Sequence, residues 1–320
     1  MMKYEPLVTI IIPLYNGSNY ISEAIECALN QTYSKIEIIV VNDGSVDNGD
    51  GERIALSYQD KIRYYSKKNG GVSSAINYAM ERMNGEWFSW LSHDDLYALN
   101  KVERQVDYLN KLKRNGIDIN NIFVHCNACL IDYKGKEIHK LIATGDGLVE
   151  TKKIILQNLN HNQLGGCSFI LPKNVCERIG LFDEKIRTIS DFDYWYRMLF
   201  NGYELYQMKD SLVKYRVHKS QVTYKMSDVG NKEINDFYIW TFQQMCLQKN
   251  SYILKDLCYV GYCAGKKKYK SALSFIEGYI RQHVSKGYYR LRWKPILAAY
   301  RIIGGGERGI RRLFNYVKVR

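Results

Sequence analysis

The feature that most restricts this chain is the alternation, through its first half, of short β-branched runs with helical patterns. Val8–Leu14 (VTIIIPL) has the length and composition of a buried strand. After Ser18, apolar residues return at three- and four-residue spacing as Ile21, Ala24, Ile25, Ala28 and Leu29. Ile36–Val41 repeats the strand signal and Ile62–Tyr65 repeats it more weakly, while Val72–Met83 is a helical stretch with Ala75, Ile76, Ala79 and Met80 on one face. Glu86–Leu91 and the amphipathic Asn100–Leu112 form the next pair. Such alternation implies a mostly parallel sheet covered by helices on both sides, because each crossover helix must pack back onto the sheet. The expected fold class is therefore α/β, a single Rossmann-like mixed, mostly parallel sheet flanked by helices. Further strands (Phe169–Leu171, Leu212–Val217) and short helices (Thr151–Leu159, Asp191–Phe200) continue this domain over residues 1–225. From Asn231 the pattern turns helical, with Ile234, Phe237, Tyr238, Thr241 and Met245 along one stripe, so residues 226–320 are expected to form a helical basic extension.

In an open parallel sheet, ligands bind beyond the carboxyl ends of the strands. Those ends are polar here: Pro13-Leu14-Tyr15-Asn16-Gly17, Asn42-Asp43-Gly44-Ser45 and Ser92-His93-Asp94-Asp95. Any one of them could be a turn with a helix cap, but three successive strand ends with small and acidic residues favour a binding site. Adjacent carboxylates at Asp94 and Asp95 repel each other unless a cation or donors lie close, and Mg²⁺ or Mn²⁺ prefers such oxygen ligands. A diphosphate substrate would complete that site. A second acidic group, Asp191 and Asp193 in ISDFDYW, lies beside aromatic residues that would raise a carboxyl's pKa toward a general base's range; the other reading is that Ser190 or Asp191 caps a helix. There is no G-x-G-x-x-G after the first strand, no G-x-x-x-x-G-K-[ST] loop and no G-x-S-x-G elbow. This argues against dinucleotide oxidoreductases, phosphate-loop NTPases and hydrolases with a serine elbow.

Charge supplies a further constraint. Gly261–Arg320 holds fifteen Lys or Arg against Glu277 and Glu307, which accounts for the whole +13 net charge. A neutral body with a basic tail suggests contact with phosphate-rich matter. Trp293, Ile296, Leu297, Tyr300 and Ile303 interleave with Arg290, Arg292, Lys294 and Arg301, a pattern suited to helices lying in the headgroup plane of an anionic membrane. The alternative is a basic face on a helical cap or a homo-oligomer contact. No run reaches the ~18 uncharged apolar residues of a membrane span, and no secretion signal is read at the start. Eight scattered cysteines argue for reduced thiols, and Cys126 with Cys129 lacks the second pair that a zinc tetrahedron needs. The expected location is cytoplasmic, peripheral on the inner face of the plasma membrane.

Taken in order, these motifs resemble the inverting family 2 glycosyltransferases with a GT-A fold, over about residues 6–222. Val8–Asn16 resembles that family's first strand and nucleotide loop, which implies nucleotide contacts from Pro13, Tyr15 and Asn16. Ile39–Ser45 resembles its second strand, with Asp43 toward the base. Asn69-Gly70-Gly71-Val72-Ser73-Ser74-Ala75 resembles the helix start beside the nucleotide, implicating Asn69, Gly71 and Ser74. Trp90–Asp95 takes the place of the acidic metal motif, so the resemblance implies Asp94 as a donor and metal contact and Asp95 as a metal ligand. Gly165–Ser168 and Gly180–Glu184 resemble the segment leading to the acceptor-side base, and Ser190–Trp195 resembles the base motif itself, with Asp191 as the base. Tyr215–His218 resembles a stretch where some members place a histidine, here His218, near diphosphate or metal. Many members carry Asp where this chain has Ser92, which bears on how the metal is held.

The resemblance implies a metal-dependent (Mn²⁺ or Mg²⁺) inverting transferase that moves a sugar from a nucleoside-diphosphate sugar, UDP leading, to a glycan or lipid-linked acceptor in surface polysaccharide or glycolipid synthesis. Two other classes stand beside it. A catalytically inactive sugar-nucleotide-binding module is kept open by Ser92. A nucleic-acid-binding protein acting through the tail leaves the acidic strand ends unexplained, so nucleic acid is not an expected partner.

Overall fold

The computed structural model describes residues 3–141, 145–161, 164–219, 221, 226–248 and 251–283. The chain divides into two compact units, Met1–Ile154 with Asn162–Met226, and Ile155–His161 with the chain from Ser227 onward.

The first unit opens with β1 (Val8–Leu14), α1 (Ile21–Leu29), β2 (Ile36–Asp43), α2 (Asp50–Leu56), β3 (Arg63–Lys67), α3 (Val72–Met80) and β4 (Trp87–Trp90). β2 and β4 flank β1 in parallel, and β3 adds in parallel to β2. Every residue of β1 is buried, which is why its sequence is a continuous apolar run rather than an alternation. α1 buries Ile21, Ala24, Ile25 and Ala28, the stripe set by their spacing.

The chain continues through β5 (Leu96–Tyr97), α4 (Lys101–Arg114), β6 (Ile122–Ile131), β7 (Glu137–Leu141), β8 (Gly147–Val149), α5 (Thr151–His161), β9 (Phe169–Pro172), α6 (Val175–Ile179), α7 (Ser190–Phe200) and β10 (Glu204–Arg216). The sheet runs β3-β2-β1-β4-β9-β6-β10-β5, with β7 on β6 and β8 on β10. β9 is antiparallel to both β4 and β6, so the sheet is mixed, yet its long ladders are parallel. β10 is irregular between Gln207 and Val213, and its antiparallel partner changes there from β8 to β5. A bulge of this kind bends a strand and re-aims the residues beyond it. In this chain the re-aimed end of β10 leads directly to His218.

Beneath the strand ends lies a buried polar knot. Lys101 of α4 is 0% exposed; its ammonium donates to Ser89 Oγ (2.8 Å) and Gln105 Oε1 (3.0 Å) and sits 3.9 Å from the centre of the Tyr97 ring. Burial without a carboxylate lowers its pKa to about 8. Tyr97 in turn bonds Ser89 Oγ (2.9 Å) and donates to the Trp90 carbonyl, so α4 and β5 both grip the end of β4.

The second unit contains α8 (Ser227–Leu247), α9 (Leu254–Lys266) and α10 (Lys270–His283). These bury Tyr238, Phe242, Met245, Val260, Cys263 and Ile276, and the Tyr238 hydroxyl donates to the Leu159 carbonyl. No helix among the described residues is long and apolar enough to cross a membrane. The basic stretch from Gly287 to Arg320 lies outside the described residues. All eight cysteines are free thiols, as their spacing implies, and Cys126 and Cys129 are buried within β6.

Candidate active site

β2, β1 and β4 are neighbours, so the loops after them share one edge of the sheet. Asp43 ends β2 and is 2% exposed. Its Oδ1 accepts from Lys67 Nζ (3.0 Å) and the Gly70 amide (2.9 Å), its Oδ2 from the Gly71 amide (2.6 Å), and its carbonyl from the Asn69 side chain (2.8 Å). The carboxylate therefore shapes the Asn69–Gly71 loop, Oδ1 accepting twice and Oδ2 once. Gly71 has φ +90°, a conformation that suits glycine, and Ser74 packs under Gly70 where a Cβ would lie 2.6 Å from its Oγ.

Asn16 ties the first loop to the second. Its amide donates to Ser45 Oγ (3.0 Å) and its side-chain oxygen accepts from the Val46 amide (2.7 Å). Tyr15 beside it is 41% exposed and presents a ring to solvent. His93, in the loop after β4, bonds the Pro13 carbonyl and fills the space beside Gly17, and burial lowers its pKa.

The adjacent carboxylates Asp94 and Asp95 diverge. Asp95 is buried; Oδ1 accepts from the Arg216 amide (2.9 Å) and Oδ2 from the Cys167 thiol (3.3 Å). Burial, with Asp94 adding to it, pushes the Asp95 carboxyl well above the usual range. Asp94 instead places Oδ2 2.9 Å from His218 Nε2. Arg216, 1% exposed, fastens this corner: its guanidinium donates to the Asp94 carbonyl (2.9 Å), to Tyr133 O (3.2 Å) and to Glu23 Oε2 (2.7 Å), and it stacks over Tyr20. Ser92 points to Cys167 through both its amide (3.3 Å) and its hydroxyl (3.4 Å).

Asp191 lies in the first turn of α7, where its carboxylate accepts from the Phe192 amide (2.9 Å) and the Gly166 amide. Burial pushes its carboxyl up to about 6, and these donors only partly offset that. Asp193 belongs to the scaffold: it pairs with Arg197 (2.8 Å), which also bonds the carbonyls of Ile179 and Leu181. Gly166 is backed by Trp90, whose ring would meet a Cβ there at 2.8 Å. The Gly165–Cys167 turn thus touches Asp191, Asp95 and Ser92, joining the base motif to the acidic loop.

Sequence reasoning missed Lys67, Cys167, Arg187 and Arg216 as individual residues. Lys67 closes the third strand, so its position at a strand end was a usable signal; Arg187, which donates to the Gly70 carbonyl and Asn69 Oδ1, carries no local signal, and Arg216 lies in the Tyr215–His218 motif but its partners are distant in sequence. Among the described residues, no three His, Cys, Asp or Glu side chains cluster to hold a metal ion. The chain's own candidate donors are the Asp94 oxygen and the His218 nitrogen, a pair that fits Mn²⁺ if diphosphate oxygens and water supply the rest.

The glycosyl transferase family 2 model matches residues 9–158. An uncharacterized glycosyltransferase of Rickettsia typhi (strain Wilmington) is 47% identical over 220 residues, covering 69% of this chain and 67% of that protein. One of Rickettsia conorii is 45% identical over 232 residues, 72% of this chain, but the chain spans only 37% of its length. A Bacillus subtilis protein named for teichuronic acid biosynthesis, TuaG, is 27% identical over 70% of this chain and 84% of its own length. Among solved structures, S. aureus TarS in complex with UDP-GlcNAc aligns with a TM-score of 0.62 at 16% identity, covering 92% of this chain and 80% of that one. The mannosyltransferase PcManGT from Pyrobaculum calidifontis, in complex with GDP-Man and Mn²⁺, aligns with a TM-score of 0.53 at 16% identity, covering 94% and 84%. The fold is thus that of GT-A glycosyltransferases, with polar loops at the strand ends. Within that class, the chain belongs to glycosyltransferase family 2.

Proposed function

We propose that this chain transfers a sugar from a nucleoside-diphosphate sugar to an acceptor hydroxyl with inversion, using Asp191 as the general base. The observation that carries the reading is the half-buried Asp191 carboxyl, held against the Gly166 turn with its pKa raised to about 6. A carboxylate there is ionised at neutral pH yet basic enough to take a proton as it is released. The acceptor oxygen attacks the anomeric carbon as its proton passes to Asp191. The bond from that carbon to the diphosphate breaks on the opposite face, and the diphosphate leaves with the electron pair.

Asp43, Asn69, Gly71, Ser74, Pro13, Tyr15 and Asn16 are the proposed nucleotide contacts. UDP leads among the nucleotides because of the family resemblance and the UDP-GlcNAc complex of the TarS neighbour. UDP-hexoses and UDP-N-acetylhexosamines are accordingly the favoured donors. Asp94 and His218 would hold Mn²⁺ or Mg²⁺, which when bound offsets charge on the leaving diphosphate. Asp95 is proposed to support them from beneath, because both its oxygens are already engaged. Thermal-shift titration of the full chain with UDP, CDP and GDP, each with and without Mn²⁺, tests this site. UDP with Mn²⁺ is expected to give the largest stabilisation; no stabilisation by any nucleotide would defeat the reading.

The acceptor is proposed to be a glycan or a lipid-linked saccharide of surface polysaccharide synthesis, reached from the cytoplasmic face of an anionic membrane through the basic C-terminal stretch. The name of TuaG and the tail's charge support this setting. Flotation with anionic liposomes should recover the full chain and not one stopped at Tyr288; equal recovery would point to a homo-oligomer or partner contact instead.

A further inference from the structure

The segment Phe182–Asp191 carries the proposed base, and it is fastened to the proposed nucleotide loop rather than only to its own neighbours. Asn77 of α3 donates to the Phe182 carbonyl (2.9 Å) and to Glu184 (3.1 Å) and accepts from the Phe182 amide (2.9 Å). Ser73 donates to the Ile186 carbonyl (3.3 Å). Arg187 goes furthest. Its Nη1 donates to the Gly70 carbonyl, its Nη2 to Asn69 Oδ1 (3.4 Å), and its guanidinium lies flat against Gly71, 2.8 Å from where a Cβ would stand.

The amides of Gly70 and Gly71 are the ones that Asp43 holds. The Asn69–Gly71 loop is therefore gripped by Asp43 through its N–H groups and by Arg187 through its oxygens. A nucleotide settling against Asp43 would bear on this loop, and through its oxygens on the Arg187 guanidinium. Arg187 sits just upstream of Asp191 on a short connection, so a shift at the loop reaches the base. A lysine could make one of these bonds but could not lie flat on Gly71 while donating to two oxygens.

We propose that Arg187 is a positioning residue that couples occupancy of the nucleotide site to the placement of Asp191. The inference rests on the reading of the Asp43 loop as the nucleotide site and of Asp191 as the base. Coupling of this kind requires that the ligand change the state of an element it does not touch.

The test is amide hydrogen exchange on the full chain, with UDP and Mn²⁺ as the probe, in wild type, Arg187→Ala and Arg187→Lys. In wild type, UDP should slow exchange over residues 69–77 and also over 184–191. In Arg187→Ala the first protection stays, the second disappears, and the UDP dissociation constant changes by less than about threefold. Arg187→Lys should give intermediate protection over 184–191. The readout is the change that UDP produces, so simple loosening of the segment would not imitate loss of coupling. Retained UDP-induced protection over 184–191 in Arg187→Ala would overturn the inference, as would loss of UDP binding, since Arg187 would then serve the donor site itself. Absence of protection over 69–77 in wild type would instead sink the nucleotide-site reading, and the coupling with it.

Discussion

Asp43 at the end of β2 is buried and Asp191 in the first turn of α7 is half-buried, and their surroundings treat them in opposite ways. Asp43 accepts three hydrogen bonds from Lys67, Gly70 and Gly71, so its charge is matched and it fixes the resting shape of that loop. Asp191 has backbone donors and no cation, and its pKa is raised. The difference is between a carboxylate used to hold a shape and one that, in the proposed mechanism, would exchange a proton. Asp94 and Asp95 repeat the contrast at neighbouring positions: Asp95 is held by Arg216 and Cys167, whereas Asp94 faces His218.

The largest expected effect breaks the contrast on the proton-exchanging side. Asp191→Asn should lower turnover by about 10³-fold while leaving UDP affinity within about twofold, because the lost interaction belongs to the transition state. Single-turnover transfer or slow donor hydrolysis, read beside UDP titration, checks this. Unchanged turnover would remove Asp191 from the chemistry.

On the shape-holding side, Asp43→Asn sets an amide donor against the Lys67 and Gly70 donors or the Gly71 N–H. The loop should open at a cost of about 2 kcal/mol, with UDP affinity falling roughly 10–30-fold. Urea unfolding and UDP titration measure the two effects. Preserved UDP affinity would separate Asp43 from the nucleotide site.

A smaller effect sharpens the comparison through pH. The Asp191 pKa is about 6 in the folded chain against an ordinary 3.8, so the folded state holds the proton more tightly than the unfolded one. Its contribution to stability is complete below pH 3.8 and is lost as pH rises to about 6. Relative to Asp191→Asn, wild type should therefore lose about 1–2 kcal/mol between those limits, with the favourable helix N-terminus tempering the loss. Urea melts at pH 4 and pH 7.5 would reveal it, and a pH-independent difference between the two proteins would contradict the burial argument. Over the same interval turnover should rise, since the base must be ionised.

Much of the architecture was legible because burial on both faces leaves a mark on sequence. β1 and β2 read as apolar runs, and the helix faces of α1 and α3 follow from Ala and Ile spacing. β10 was legible only over its last residues, because in Glu204–Asp210 the apolar Leu205 and Met208 stand among polar residues without alternation and the segment is held in the sheet through pairing with β6 and β8. α2 went unread for a related reason: only Gly51 and Ala55 are buried, too few to show a stripe. At the site, the acidic loops were visible as motifs at strand ends. The different employment of Asp94 and Asp95 was not, since it depends on the Arg216 amide and the Cys167 thiol, which arrive from distant parts of the chain. Arg187 was silent for the same reason.

The contact between Asp94 and His218 spans 124 residues of chain, and the strand leading to His218 is, in sequence, the latest of the described strands. During synthesis, everything up to β9 must wait on the ribosome without the strand that completes this corner. Pairings of such long sequence separation form slowly, so the nascent protein passes through a stage in which β6 lacks its parallel partner and exposes an apolar edge. The interval between the emergence of β6 and that of β10 therefore sets how long this edge stays without its partner.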